Sequence, residues 1–253
     1  MKVLKVSLSE VLLTIAICLL ISCCLKPVEA VPLSNTEISW DKFESIAGIY
    51  DPYDPVTDAL TGVFDFGIDE ENISFPDGLV YSQVFPGIGS AEGLNVYVYQ
   101  FQVFPGSDVS LTEVSFEFPV NPANFPVKID GEDVTSFWVN EPNPGIGIGP
   151  GASVAPDEVA WDNGVLKFTL NLNALQGDIS FIIGVFAPKN MPPEETVTKL
   201  GTFPADASPT LPLPTVYMPT PEPSVVVCLG LGIFACLIRG RRSLSGFKGR
   251  RRE

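Results

Sequence analysis

Leu94-Asn95-Val96-Tyr97-Val98-Tyr99-Gln100-Phe101-Gln102-Val103-Phe104 is the stretch on which the fold turns. Tyr97, Tyr99, Phe101 and Val103 fall on one side of an extended chain, and Val96, Val98, Gln100 and Gln102 on the other. A helical period would scatter these large side chains around a cylinder, whereas a period of two gathers them into a face. Aromatic and β-branched residues also pack well on a pleated surface. The segment therefore predicts a long strand with one face committed to a core.

The same period recurs on both sides of it. Phe64, Phe66 and Ile68 alternate with Asp65 and Gly67; Val114, Phe116 and Phe118 alternate with Ser115 and Glu117. Leu166, Phe168, Leu170 and Leu172 alternate with Lys167, Thr169 and Asn171. Residues 179–187 are apolar on both faces and predict a central strand. Shorter candidates lie at 79–85, 126–130 and 135–139. Gly, Pro, Asn and Asp punctuate these runs, and no long stretch of 61–187 has a helical period. About eight short strands with apolar faces pack best as two sheets. The expectation is an all-β sandwich over 61–187, immunoglobulin-like in the first instance, with a jelly roll as runner-up. Residues 31–60 predict an irregular segment, with turns along Asp51-Pro-Tyr-Asp54-Pro-Val-Thr-Asp58. Ten prolines between 188 and 223 predict an extended, semi-rigid linker over 188–218.

Charge and cysteine are both unevenly spread along the 253 residues. Between 31 and 223 there are 27 acids and five lysines, a net charge of −22. Such a body repels nucleic acid and anionic lipid, so no nucleic-acid partner is expected. Cys18, Cys23, Cys24, Cys228 and Cys236 all lie in the apolar termini, so the body can form no disulfide and no thiolate zinc site. Histidine is absent from the whole chain. Ser-His-Asp and Cys-His catalysis and histidine metal sites are thereby excluded. Carboxylate chemistry remains, as in glycoside hydrolases. No pair among the 27 acids stands out by position, and a non-enzymatic role is the expectation.

The ends carry the addressing information. Lys2 and Lys5 precede an apolar run over 11–25, and Val28-Glu29-Ala30 sets small residues at the −3 and −1 positions of a cleavage site. This pattern predicts a secretory signal over 1–30, used by the Sec translocon and cut after Ala30. Two alternatives are a retained N-terminal anchor and a lipobox at Leu20-Ile21-Ser22-Cys23, which would leave Cys23 lipidated. At the other end Pro221-Glu222-Pro223 precedes an apolar run over 225–238 and then Arg239, Arg241 and Arg242. Fourteen residues of helix span about 21 Å, short of a typical hydrocarbon core of about 30 Å. The arginines favour a cytoplasmic tail, which sets the body outside.

Pro-Glu-Pro, a short Gly-containing apolar segment and an arginine cluster, in that order, resemble the PEP-CTERM sorting signal of Gram-negative bacteria. The resemblance covers about residues 219–242, and a second basic cluster (Lys248, Arg250, Arg251, Arg252) departs from the family pattern. It implies recognition by an exosortase-type membrane enzyme, cleavage near Pro221-Glu222-Pro223, and a destination at the cell surface or in an exopolysaccharide matrix. The segment 219–253 would then be a sorting signal with a transmembrane helix at 225–238 and a basic tail.

Three further patterns point to ligands. Oxygen-rich loops suit calcium, and Asp51, Asp54 and Asp58 form one candidate set, with Asp69–Asn72 and Asp130, Glu132 and Asp133 as others. None follows the Asp-x-Asp-x-Asp-Gly pattern, and solvated turns are the plainer reading; no other cofactor is implied. Pro144-Gly-Ile-Gly147-Ile-Gly149-Pro-Gly151 lacks the Lys-Ser/Thr and helix of a phosphate loop and predicts a flexible connection. Trp40, Tyr50, Tyr53, Phe137, Trp138 and Trp161 could stack on sugar rings if exposed in a row, or serve as packing.

Overall fold

A computed structural model describes residues 30–49, 55–66, 76–107, 109–140, 146–148, 154–173, 176–205 and 207–220. In chain order the elements begin with β1 (Val31–Pro32), β2 (Thr36–Ile38), α1 (Trp40–Ile46), β3 (Leu60–Phe64), β4 (Gly78–Pro86) and β5 (Leu94–Val103). There follow β6 (Ser110–Glu117), β7 (Val127–Ile129), β8 (Glu132–Val134), β9 (Ser136–Val139) and β10 (Glu158–Asp162). The chain closes with β11 (Val165–Leu172), β12 (Ile182–Pro188), β13 (Pro193–Val197), β14 (Lys199–Phe203) and β15 (Thr215–Pro219).

Two sheets carry the fold. One has the order β1-β10-β11-β6-β14 and the other β2-β9-β12-β5-β4-β3. All their pairings are antiparallel except β2 with β9. β5 lies inside the second sheet, with Tyr99 opposite Ser82 of β4 and Ile183 of β12. Among the described residues the protein is an all-β sandwich with one short α-helix, as the period of two predicts.

The inter-sheet core is built on rings. Tyr99 lies 4.9 Å from Phe116 and 5.5 Å from Phe168, centroid to centroid, and Phe101 lies 5.6 Å from Phe168. Tyr97 meets Phe118 edge-on at 5.6 Å. Tilted and edge-to-face pairs add roughly 0.5–1.5 kcal/mol each beyond their buried area. The alternate residues of β5, Val96 and Val98, enter a second core on the outer face of the same sheet. There α1 contributes Phe43 and Ile46, and the β7–β8 hairpin contributes Val127, Ile129 and Val134. Ser39 caps α1 by accepting from the Lys42 N–H, and Phe43 packs 5.8 Å from Phe137. Opposite Phe137, Gly184 has no room for a Cβ because the Phe137 ring lies over it. A sheet covered on both faces explains why β12 is apolar on both faces.

Two expectations are corrected. Residues 31–60 hold β1, β2 and α1 rather than only irregular chain. β1 and β2 have two and three residues, too few to display a period. Residues 188–218 are no free linker: β14 pairs with β6, and β13 pairs with β15 along the flank of β3, β4 and β5. Prolines tolerate this because Pro188, Pro193 and Pro219 sit at strand ends, where a missing N–H costs least. Val216 is fully buried, and the Thr198 hydroxyl donates to the Pro214 carbonyl at 2.8 Å. The folded body therefore takes in at least residues 31–220, beyond the expected limits of 61 and 187. No helix among the described residues is long and apolar enough to cross a membrane. The expected signal at 1–29 and span at 225–238 lie outside the described residues.

Burial pushes the Tyr81 hydroxyl up to about 12, with a hydrogen bond from the Gly147 backbone only partly offsetting it. Burial also raises Tyr97, and it raises Tyr99 well above the ordinary value of 10, with Tyr97 adding to the effect on Tyr99. A folded pKa above the unfolded one contributes stability in full below pH 10, and that contribution is lost as pH rises through the folded values. The melting temperature is expected to fall steeply above about pH 10. Tyrosinate absorbance of these three rings should appear only together with unfolding.

Candidate functional site

The strand directions give the sandwich two unlike ends. β3 into β4, β5 into β6, and β11 into β12 all turn at the end where Phe64, Gly78, Val103 and Leu172 lie. β9 into β10 and the exit of β14 turn there as well. The connections at this distal end are 65–77, 104–109, 140–157, 173–181 and 204–214. Turns at 87–93, 163–164 and 189–192 lie at the opposite end, from which the 47–59 and 118–135 connections also leave. Long connections on a rigid scaffold are where binding residues gather, so the distal end is the candidate site.

Its described parts are held by buried polar groups. Asp77, 6% exposed, accepts from the Phe66 N–H at 2.6 Å and from the Ser107 hydroxyl at 2.6 Å. It closes the neck of the 65–77 connection and ties it to the next one. Asp65, also 6% exposed, sits at the same neck, and its carbonyl accepts from the Thr210 N–H at 2.7 Å. Gln100 points from β5 into the second core's margin. Its amide donates to the Ser180 carbonyl at 2.9 Å and accepts from the Ile148 N–H at 2.6 Å. The Ser180 hydroxyl in turn accepts from the Phe101 N–H at 2.9 Å.

The glycine-rich connection is thus pinned at residues 146–148, in contrast to the expected flexible loop. Ile146 and Ile148 pack on the second core, and Gly147 adopts φ +86 with the Gln100 amide where a Cβ would stand. The Ile148 N–H faces a protein acceptor, unlike the amides of a phosphate loop. Residues 144, 145 and 149–151 lie outside the described residues.

The aromatic candidates separate. Trp138 of β9 is half-buried against the inter-sheet core and stacks on Phe181, with centroids 4.9 Å apart and planes 22° apart. Trp161 of β10 donates its indole N–H to the Phe118 carbonyl at 2.7 Å, toward the opposite end. Trp40 stands on α1, bonded to Glu44 and edge-on to Phe43. Phe137 is fully buried. The three tryptophans form no row; the Trp138–Phe181 stack stands alone near the distal connections. Tyr50 and Tyr53 lie outside the described residues.

The acidic candidates are also dispersed. Asp130 and Gly131 form the tight turn of the β7–β8 hairpin, both at positive φ (52° and 90°). Asp130 pairs with Lys42 at 2.5 Å and Asp133 with Lys128 at 2.8 Å. Asp58 is exposed, while Asp51, Asp54 and residues 69–72 lie outside the described residues. Among the described residues no three potential ligands gather as a metal site. Ala30 is exposed at the start of β1; Cys23, Pro221, Glu222, Pro223, Arg239, Arg241 and Arg242 lie outside the described residues. Sequence reasoning assigned no role to Gln100, whose signal was a polar side chain following Val96 and Val98 on the face it shares with Gln102. No family model, curated protein or solved structure matches this chain.

Replacing Gln100 with Leu strands the Ile148 N–H and the Ser180 carbonyl. A loss of about 1–3 kcal/mol is expected. Thermal melting checks the size, and faster amide exchange at Ile148 checks that the effect begins at the pinned loop.

Proposed function

We propose that this chain is an exported, non-catalytic protein of the cell surface or extracellular matrix, released from two terminal addressing segments. One observation carries the reading. Val31, just after Val28-Glu29-Ala30, is already paired with Trp161 in the sandwich. At the other signal, Thr220, just before Pro221-Glu222-Pro223, is fastened to the Pro192 carbonyl. Every described strand lies between the two processing signals read from sequence. A chain cut at both would lose none of the described strands. The absence of cysteine from the body fits a fold held by its core alone, and the lack of histidine leaves few catalytic designs. The C-terminal pattern adds an exosortase-type enzyme as the processing partner and 225–238 as the membrane segment.

Within the sandwich class, the wiring favours the jelly roll over the immunoglobulin-like arrangement. From β5 through β14 the main strands change sheet at every connection except the β10–β11 hairpin. An immunoglobulin domain keeps more of its hairpins within one sheet.

Mass spectrometry of the protein isolated from its host tests the main reading. The expected N-terminal residue is Val31, with the chain ending near residues 221–223. Intact protein recovered from cytosol with both apolar ends present would remove it.

A second reading, binding of a neutral glycan of the exopolysaccharide class, draws on the partly buried Trp138–Phe181 stack beside the distal connections. Base-free ring stacking suits sugar faces, and an acidic body does not oppose an uncharged polymer. Affinity electrophoresis through host polysaccharide should retard the wild-type body, and Trp138→Ala should abolish most of the retardation. Equal mobility of the two proteins ends this reading.

A further inference from the structure

We infer that the Thr220 end of the sandwich lies against a bilayer surface while the chain is anchored, with the acid-rich distal end turned away from the lipid. The inference rests on the proposed membrane segment at 225–238 and adds which protein surface meets the membrane.

The first argument is covalent reach. Thr220 is fastened to the body, since its N–H and its hydroxyl both donate to the Pro192 carbonyl, at 2.9 and 2.8 Å. β15 before it pairs with β13 from Thr215 to Pro219. Five steps of chain join Thr220 to Val225, at most about 18 Å when fully extended. β5 alone rises about 33 Å between the two ends. A tether this short holds the near end at the membrane and leaves the distal end well clear of it. The free linker expected from the prolines would have imposed no such orientation.

The second argument is charge. The described residues of the distal connections 65–77, 104–109, 140–157, 173–181 and 204–214 include Asp65, Asp77, Asp157 and Asp178 and no lysine or arginine. In the near-end turns 87–93, 163–164 and 189–192, Glu92 and Lys189 cancel. The 47–59 connection leaves from that end, where Ala47 is bridged to Gly87, and exposed Asp58 precedes β3. The 118–135 connection also leaves from that end, folding over α1 with Asp130 and Asp133 neutralised by lysines. Anionic lipid repels the distal end most strongly, so electrostatics and tether favour the same orientation. The N-terminus emerges on the same side, since Val31 pairs with Trp161 beside the 163–164 turn.

The test uses the full chain with its five cysteines replaced by alanine, reconstituted in phosphatidylethanolamine–phosphatidylglycerol vesicles bearing a headgroup acceptor dye. A donor dye is placed on Ser90→Cys, at the near end, or on Gln176→Cys, at the distal end; both positions are exposed. Energy transfer to the lipid is expected to be several-fold greater from position 90. Inserting a 20-residue Gly-Ser spacer after Thr220 should reduce that difference without changing the fraction of protein that floats with vesicles. Equal or greater transfer from position 176 in floating protein overturns the orientation and leaves the membrane segment standing. Protein that does not float overturns both.

Discussion

The Tyr99 hydroxyl sits in the middle of an apolar core and must find an acceptor there. It finds the Tyr217 carbonyl at 2.8 Å, on the last strand of the fold. A buried hydroxyl without a partner costs roughly 1–3 kcal/mol, so the ring that fills the sandwich also requires β15 to be in place. β15 returns the dependence: the Tyr217 N–H donates to Ser82 on β4, and Val216 is fully buried. One side chain thereby links the aromatic cluster, the central sheet and the proline-rich segment that ends in β15. The proline-rich segment is folded because the core needs it, and Thr220 is held beside it by its bonds to the Pro192 carbonyl.

Hydrophobic and aromatic burial has to supply the stability, because the alternatives are weak or missing. The body has no cysteine to cross-link. Its three described ion pairs are solvent-exposed, the Lys128–Asp133 pair at 62% and 61%, and such pairs contribute little in water. The excess of acid is held at loops and edges, where solvent screens it. The two that are buried at the distal neck, Asp65 and Asp77, take part in closing the 65–77 connection. A second core on the outer face of the six-stranded sheet covers both sides of its central strands β12 and β5, and α1 is kept by Phe43 and Ile46 rather than by its length.

How legible each element was depended on how many residues repeat the pattern. β5 has ten residues and β11 eight, and both stand out as alternating runs. β1 and β2 are too short, and β13 to β15 are masked by prolines that mark strand ends as readily as linkers. The seven residues of α1 complete barely two turns, so Phe43 and Ile46 set no period. For the candidate site, the tryptophans could be named but not placed: Trp138, Trp161 and Trp40 prove to occupy three different regions. Gln100 was visible as the point where the Val96–Val98 face turns polar, yet its partners, Ile148 and Ser180, lie 48 and 80 positions away.

Sequence alone determined the class of fold, because strand period is a local property of consecutive side chains. It also determined the inventory of chemistry, since an absent histidine or cysteine is absent from any conformation. The terminal addressing patterns were equally local, being read from short contiguous motifs. Tertiary structure decided which sheet each strand joins, which loops share an end, and that the proline-rich tail belongs to the body. Those outcomes rest on contacts between residues far apart in the chain, such as Tyr99 with Tyr217 and Gln100 with Ile148. Local periodicity carries no information about such pairings; only the packing of the whole core selects them.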